Sequence, residues 1–270
     1  RATQGSYAPG STFKIITTLA FMRQNSNYAD YTYDCDGEIT EGNTTIHCFG
    51  STAHGHEDLR SSVANSCNSS FANIGLSLDI SKYRETAEDL LFNNSLPSVL
   101  NYTKSSFALT EDSEDSEVMM TAMGQGKTMT SPYHMAMITQ AIANGGTMMR
   151  PYLVDSITNY TGSEIRHNVP QSYRKVMTSA EASQLKEYME AVVEEGTGSV
   201  LSGKSYTAAG KTGTAEYSMS DSDRTHSWFM GFTNVDNPDL VICVITEGSD
   251  GSPGGKAVSI AADILDSYYD

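Results

Sequence analysis

The 270-residue sequence predicts an α/β fold of the α+β kind: an antiparallel sheet flanked by helices, joined to an all-helical half. Three observations carry this. The last third holds three apolar or small-residue runs with short connections, the pattern of an antiparallel meander. The first half alternates apolar segments of helical period with caps and turns. The length suits one large domain with ample core. Residues 11–146 form the mostly helical half, with a small hairpin over 31–48, and 147–270 the sheet-and-helix half, within a single domain over 1–270.

Composition excludes several function classes. A net charge of −16 argues against nucleic acid and against an anionic membrane surface. There is no apolar run of 18 residues and no visible signal peptide. The chain opens at Arg1-Ala2-Thr3 without an initiator methionine, as a fragment would. Four cysteines are too few for a disulfide scaffold and too scattered for a zinc ribbon.

Pro9-Gly10 turns straight into Ser11-Thr12-Phe13-Lys14, and an apolar segment with Phe13, Ile15, Ile16, Leu19, Ala20 and Phe21 follows. Its length and greasy faces predict a buried helix. Ser11 lies in the first turn, where unpaired N–H groups and the dipole favour a developing oxyanion. Lys14, three residues on, shares its face, and desolvation there would let a neutral amine take the serine proton. Ser-x-x-Lys is a cheap pattern, and Ser11 is equally read as an N-cap. It recurs at Ser172/Lys175 and Ser183/Lys186, both expected to be solvated.

Tyr31–Thr40 and Thr44–Cys48 predict a β-hairpin. A loop at Glu41-Gly42 would set Cys35 directly opposite Cys48. Three readings stay open: a cross-strand disulfide, a metal site completed by His54, His56, Asp34 or Asp36, or free surface thiols. A helix from about Leu59 to Ser66 and another from about Ser69 to Leu78 meet at Ser66-Cys67-Asn68. Ser-x-Asn occurs once in the chain. At such a junction it projects a hydroxyl and an amide into one cleft, or else Asn68 and Ser69 simply cap the two helices. Cys67 is expected to be a packed small residue.

A helix over 82–92 follows. The acidic stretch 111–117 lacks the ligand order of a calcium loop and is expected to be a solvated turn. Gly124-Gln125-Gly126-Lys127 is not a phosphate-binding loop. Pro132 opens a helix through about Asn144, stopped by Gly145-Gly146. A short strand holds Met148, Met149, Tyr152 and Val154. Residues 156–178 are polar and irregular, and Ser179–Glu195 is a capped helix. Three strands close the chain: Ala208–Tyr217, Ser227–Phe232 and Leu240–Ile245. The last is apolar on both sides, so a central position with Cys243 in the core is expected. A glycine-rich turn, Gly248 to Gly255, leads to a helix over about Ala257–Tyr268 packed on the sheet.

Lys211-Thr212-Gly213 appears once. With Ser11/Lys14 and Ser66/Asn68 it completes the three-part signature of active-site serine penicillin-recognising enzymes. Over nearly its whole length the chain resembles the transpeptidase domain of penicillin-binding proteins, most closely the monofunctional class B type. Beyond the trio the resemblance rests on Arg1–Gly5, His54-Gly55, Gly124-Gln125-Gly126, Ala143–Gly146 and Lys211–Glu216. It implies a β-lactamase/transpeptidase-like fold and a set of roles. Ser11 attacks the D-Ala-D-Ala carbonyl of a peptidoglycan stem, with Lys14 as general base. Ser66 and Asn68 relay protons and orient the substrate amide. Lys211, Thr212 and Gly213 belong to the strand that holds the terminal carboxylate. The N–H groups of Ser11 and Thr214 form the oxyanion hole. β-Lactams mimic the donor and leave a slow ester on Ser11.

The resemblance implies no cofactor, and no metal ligand is assigned from it. It further implies an extracytoplasmic location in bacteria, a membrane anchor outside this chain, and partners in cell-wall synthesis. The family's upstream strand pair is missing here, so an exposed sheet edge is expected, or one filled by another chain or a further segment. The competing functions are a serine β-lactamase, which needs a deacylating water, a β-lactam sensor, an idle scaffold and a carboxypeptidase.

Overall fold

Pro9 and Gly10 lead the chain into a 3₁₀ turn, Gly10–Phe13, that runs directly into α1 (Lys14–Gln24). The computed structural model describes residues 1–216, 225–249 and 255–270. Ile15, Ile16, Leu19 and Ala20 of α1 are fully buried, so this helix is the axis of the main core rather than an amphipathic surface element.

Four short strands follow: β1 (Thr32–Cys35), β2 (Glu38–Glu41), β3 (Thr44–His47) and β4 (Gly55–Asp58). β2 and β3 form the expected hairpin, but Glu41 pairs with Thr44, so its loop is Gly42-Asn43. Gly42 takes φ 56° at the first central position, the primed-turn geometry that matches strand twist. Cys35 therefore does not face Cys48 across the hairpin. It ends β1, which pairs antiparallel with β4 and sets Cys35 against Gly55.

A capping box between Asp58 and Ser61 starts α2 (Leu59–Ala64). After the Ser66-Cys67 turn comes α3 (Asn68–Ser77), then α4 (Ile80–Asp89), capped by Asp79, and α5 (Asp115–Ala122). Cys67 is the N-cap of α3, its sulfur accepting from the Ser70 N–H, so neither Asn68 nor Ser69 caps the junction. Ser131 caps α6 (Pro132–Ala143), with proline in the first turn, where its missing N–H costs nothing.

The stretch expected to be irregular contains short strands. β5 (Thr147–Met149) pairs with β8 (Ser172–Lys175), and β6 (Ser156–Thr158) with β7 (Glu164–His167). A second capping box, Thr178 with Glu181, opens α7 (Ser179–Glu194). The three long strands β9 (Ala208–Glu216), β10 (Thr225–Thr233) and β11 (Leu240–Ser249) form an antiparallel sheet in the order β11-β10-β9. α8 (Gly255–Tyr269) packs across β11 and β10. Tyr217 and most of the glycine-rich turn, residues 250–254, lie outside the described residues.

β10, not β11, is the central strand. Along its other edge β11 pairs with no strand among the described residues, and Cys243 is half-buried rather than sealed in the core. β11 is apolar on both faces because α6 packs on it as well as α8. Among the described residues no helix is long and apolar enough to cross a membrane.

Candidate active site

Four pieces of chain meet at the N-terminal end of α1, the first two contiguous and the other two distant in sequence. The first is the turn itself. Thr12 Oγ1 donates to the Pro9 carbonyl at 2.6 Å, and the Gly10 N–H donates to the Gly124 carbonyl at 2.8 Å. Gly10 has φ 56°, and a Cβ there would sit 2.6 Å from the Thr214 carbonyl oxygen. Only glycine allows the turn to press this closely on β9. Ser11 is half-buried inside the turn, whose N-cap is Pro9, so its hydroxyl does not serve as the helix cap.

Lys14 is the second piece, fully buried at the first residue of α1. Its Nζ donates to the Ser66 carbonyl at 2.6 Å and to Asn68 Oδ1 at 2.7 Å, and lies 3.2 Å from Ser66 Oγ. Asn68 Nδ2 donates to the His47 carbonyl at 2.9 Å, which fixes the amide with its oxygen toward the lysine. Carbonyl and amide oxygens only accept. Two N–H bonds of a neutral amine satisfy both, which leaves its lone pair for a hydroxyl. Burial pushes Lys14 down to about 8, partly opposed by charge on Cys67 and Cys48. A fraction of it is thus neutral near pH 7.

The third piece is the Ser66-Cys67 turn between α2 and α3. Ser66 has φ 56°, a left-handed conformation that costs a non-glycine residue about 1–3 kcal/mol. Such strain collects where a side chain must be aimed, and here it aims both the carbonyl and the hydroxyl of Ser66 at Lys14.

β9 is the fourth. Lys211 is fully buried and donates to the Thr212 carbonyl at 3.1 Å. Burial, then the charge of Lys14, drives it well below the ordinary lysine range. Thr212 Oγ1 lies 2.6 Å from Thr197 Oγ1. Gly213 faces Thr12, whose N and Cγ2 would each be 3.1 Å from an added Cβ. The Thr214 carbonyl accepts from Gln125 Nε2 at 3.2 Å. All eight residues expected from sequence, Ser11, Lys14, Ser66, Asn68, Lys211, Thr212, Gly213 and Thr214, lie on these four pieces. Ser172 and Lys175 are exposed on β8, and Ser183 is exposed on α7 with Lys186 half-buried.

Sequence reasoning missed two contributors. Thr197 follows α7 in a Gly-Thr-Gly turn that carried only a helix-stop signal, and His47 acts through its backbone, which no side-chain pattern reveals. Sequence reasoning also did not connect Cys67 with the hairpin cysteines. Among the described residues Cys35, Cys48, His54 and Cys67 form a cluster whose ligand atoms all lie within 4.8 Å of one another. A cavity of about 500 Å³ lies beyond Gln125, lined among others by Tyr7, Met120, Gly126 and Lys127, but neither Ser11 nor Lys14 borders it.

The arrangement suits acyl transfer: a hydroxyl in a helix's first turn, a desolvated amine bonded to a hydroxyl–amide pair, and a second buried amine close enough to feel the first one's charge. Residues 1–266 match the family profile described as penicillin binding protein transpeptidase domain. The chain is 28% identical to the peptidoglycan D,D-transpeptidase PbpA of Mycolicibacterium smegmatis, over 97% of its own length and 56% of that protein. It is 30% identical to stage V sporulation protein D of Bacillus subtilis, over 96% of its length and 42% of that protein. The chain thus spans about half the length of the curated relatives it matches. Among solved structures, the D,D-transpeptidase domain of a peptidoglycan glycosyltransferase from Eggerthella lenta superposes with a TM-score of 0.90 at 29% identity, covering 99% of this chain and 66% of that one. Penicillin-binding protein A of M. tuberculosis, as an imipenem acyl-enzyme complex, superposes with a TM-score of 0.86 at 25% identity, covering 100% and 61%.

Proposed function

The chain belongs to the penicillin-binding protein transpeptidase family, and on that premise we propose that it cross-links peptidoglycan stem peptides through an acyl-enzyme on Ser11, as a single domain on the extracytoplasmic face of a bacterial membrane. The observation that supports this reading is the junction of Lys14 with Ser66 and Asn68 beside the turn that carries Ser11.

In the proposed reaction Ser11 Oγ attacks the carbonyl of the penultimate D-alanine, and its proton passes to the neutral Lys14 amine. The tetrahedral oxyanion is held by the N–H groups of Ser11 and Thr214. As it collapses, the C–N bond breaks and the terminal D-alanine leaves with a proton relayed through Ser66. Asn68 orients the substrate amide. Lys211 and Thr212 take the terminal carboxylate, and a carboxylate arriving beside two desolvated lysines raises the pKa of both. An amine from a neighbouring stem then attacks the ester, and Ser11 recovers its proton. A β-lactam enters as the donor does and stays on Ser11 because nothing resolves the ester quickly.

Intact mass of the protein and of Ser11→Ala, followed over hours with a penicillin, tests this. A persistent adduct of the drug's mass, lost in the variant, is the expected result. An adduct that vanishes while the drug is hydrolysed would make the protein a β-lactamase. An adduct that persists in Ser11→Ala would overturn the assignment of the nucleophile.

A further inference from the structure

We infer that Thr197 is a positioning residue for substrate binding: its hydroxyl donates to Thr212 Oγ1 and so leaves the Thr212 proton free for the terminal carboxylate of the donor. This rests on the proposed function, in which Thr212 takes that carboxylate. The two Oγ1 atoms lie 2.6 Å apart, and among the described residues neither makes another hydrogen bond. Two hydroxyls bring two protons to the pair, and the bond between them uses one. Which proton stays free decides what the site offers a substrate.

The turn that carries Thr197 is fixed from two sides. Its N–H donates to the Ala64 carbonyl at 3.2 Å, and the Gly198 N–H donates to the Val192 carbonyl at 2.8 Å. Gly196 approaches α2 so closely that an added Cβ would lie 2.1 Å from the Ala64 carbonyl oxygen. Ala64 ends α2, two residues before Ser66, whose carbonyl holds Lys14. Thr197 is thus anchored by its backbone beside the Ser66 turn and reaches β9 with its hydroxyl.

The direction of the bond follows from the chemistry of the ligand. A carboxylate only accepts. If Thr212 donated to Thr197, it would meet the carboxylate with lone pairs, and the free proton would sit on Thr197. With Thr197 as donor, Thr212 accepts one bond and gives the next, and each bond polarises the other. Thr212 is 3% exposed, so water offers its hydroxyl little alternative, and Thr197 sets its direction. The Thr212 carbonyl is held as well, by the Lys211 amine at 3.1 Å, so the residue is ordered before substrate arrives.

The bond acts on the carboxylate, so an acylating agent without that charge is blind to it. Second-order acylation rates by a penicillin and by its methyl ester, in the wild type, Thr197→Val and Thr197→Ser, test the role. Valine keeps the shape and removes the hydroxyl, while serine keeps the hydroxyl. Thr197→Val should be acylated by the acid roughly threefold to tenfold more slowly, with the ester rate unchanged, and Thr197→Ser should stay close to the wild type with both. Equal slowing with acid and ester would make Thr197 a structural residue and overturn the role. An acid rate in Thr197→Val that is unchanged or faster would overturn it too, because Thr212 would then need no donor at position 197. Those results leave the transpeptidase reading standing. A wild type that neither compound acylates would refute that reading, and the role of Thr197 with it.

Discussion

Lys14 Nζ donates to Asn68 Oδ1 at 2.7 Å, joining two residues 54 positions apart in the chain. The bond uses one of the two N–H groups that a neutral Lys14 has, and the Ser66 carbonyl takes the other. With its two fixed acceptors satisfied, a neutral Lys14 keeps a lone pair for a proton. Burial makes that form accessible by lowering the lysine to about 8. Acylation by a penicillin should therefore rise about tenfold per pH unit below about pH 8 and level off above it. Second-order acylation rates from about pH 6 to about pH 9.5 measure this. A rate flat across that range would remove Lys14 as the base.

Asn68→Ala removes one of the two acceptors and the tie to the His47 carbonyl. Lys14 then has a free N–H and a wider choice of orientation. The expected loss is roughly tenfold to a hundredfold in the acylation rate, because misplacing a reacting group by about 1 Å costs that much. The melting temperature should move far less, since Asn68 lies at a partly open junction. Thermal melts alongside the rates separate the two effects, and a rate loss explained wholly by unfolding at assay temperature would contradict the positioning role.

Gly124→Ala tests the contact that seats the Ser11 turn. An added Cβ would lie 1.8 Å from the Gly10 carbonyl oxygen, on a residue with φ 87°. Backbone meets backbone there, so no side chain gives way. A cost of about 2–4 kcal/mol is expected, with a fall in Tm of roughly 5–10 °C and a loss of acylation. Gly42→Ala is the control: its φ is 56°, but nothing lies within 4 Å of the new Cβ. It should cost about 1 kcal/mol through backbone strain alone. Equal losses in the two variants would mean that the close approach at Gly10 does not matter.

The candidate site was legible because its parts are short, local patterns at element boundaries: Ser11/Lys14 at a helix start, Ser66/Asn68 at a helix junction, Lys211-Thr212-Gly213 on a strand. The misreadings have physical causes. β11 looked central because both its faces are apolar, but α6 and α8 cover those faces whatever happens at the strand's edge. Facial burial and edge pairing leave the same mark on a sequence. β6 and β7 escaped notice because every residue in them is exposed, so no alternation exists to find. The hairpin register slipped because two adjacent loops were plausible and a glycine at position 42 suits either; the pairing of Glu41 with Thr44 makes the loop Gly42-Asn43. Cys67 joins the hairpin thiols only through tertiary packing, which spacing along the chain does not encode.

His134 gives the fold an acid sensitivity of its own. It is fully buried in α6, with Nδ1 2.7 Å from Ser105 Oγ and Nε2 2.7 Å from the Leu90 carbonyl. A carbonyl only accepts, so Nε2 carries the proton and Nδ1 accepts from the serine. The neutral ring is fully satisfied, and Phe92, at 4.9 Å between centroids, adds an apolar wall. Burial pulls the pKa from 6.5 down to about 4. Above about pH 6.5 neither the folded nor the unfolded chain protonates this ring, and its contribution to stability is constant. Between about 6.5 and about 4 the unfolded chain binds a proton that the folded chain refuses, so stability falls with pH, by about 3 kcal/mol in all. Below about 4 both states are protonated and the loss levels off. His226 is shifted in the same direction by its partial burial, opposed by the charge of Glu247. Urea unfolding at about pH 7 and about pH 5.5 should show about 1 kcal/mol of this loss, in an interval where the carboxylates stay ionised. His134→Gln, less stable at neutral pH, should lose less over the same interval. A variant with the full wild-type slope would place the acid sensitivity elsewhere.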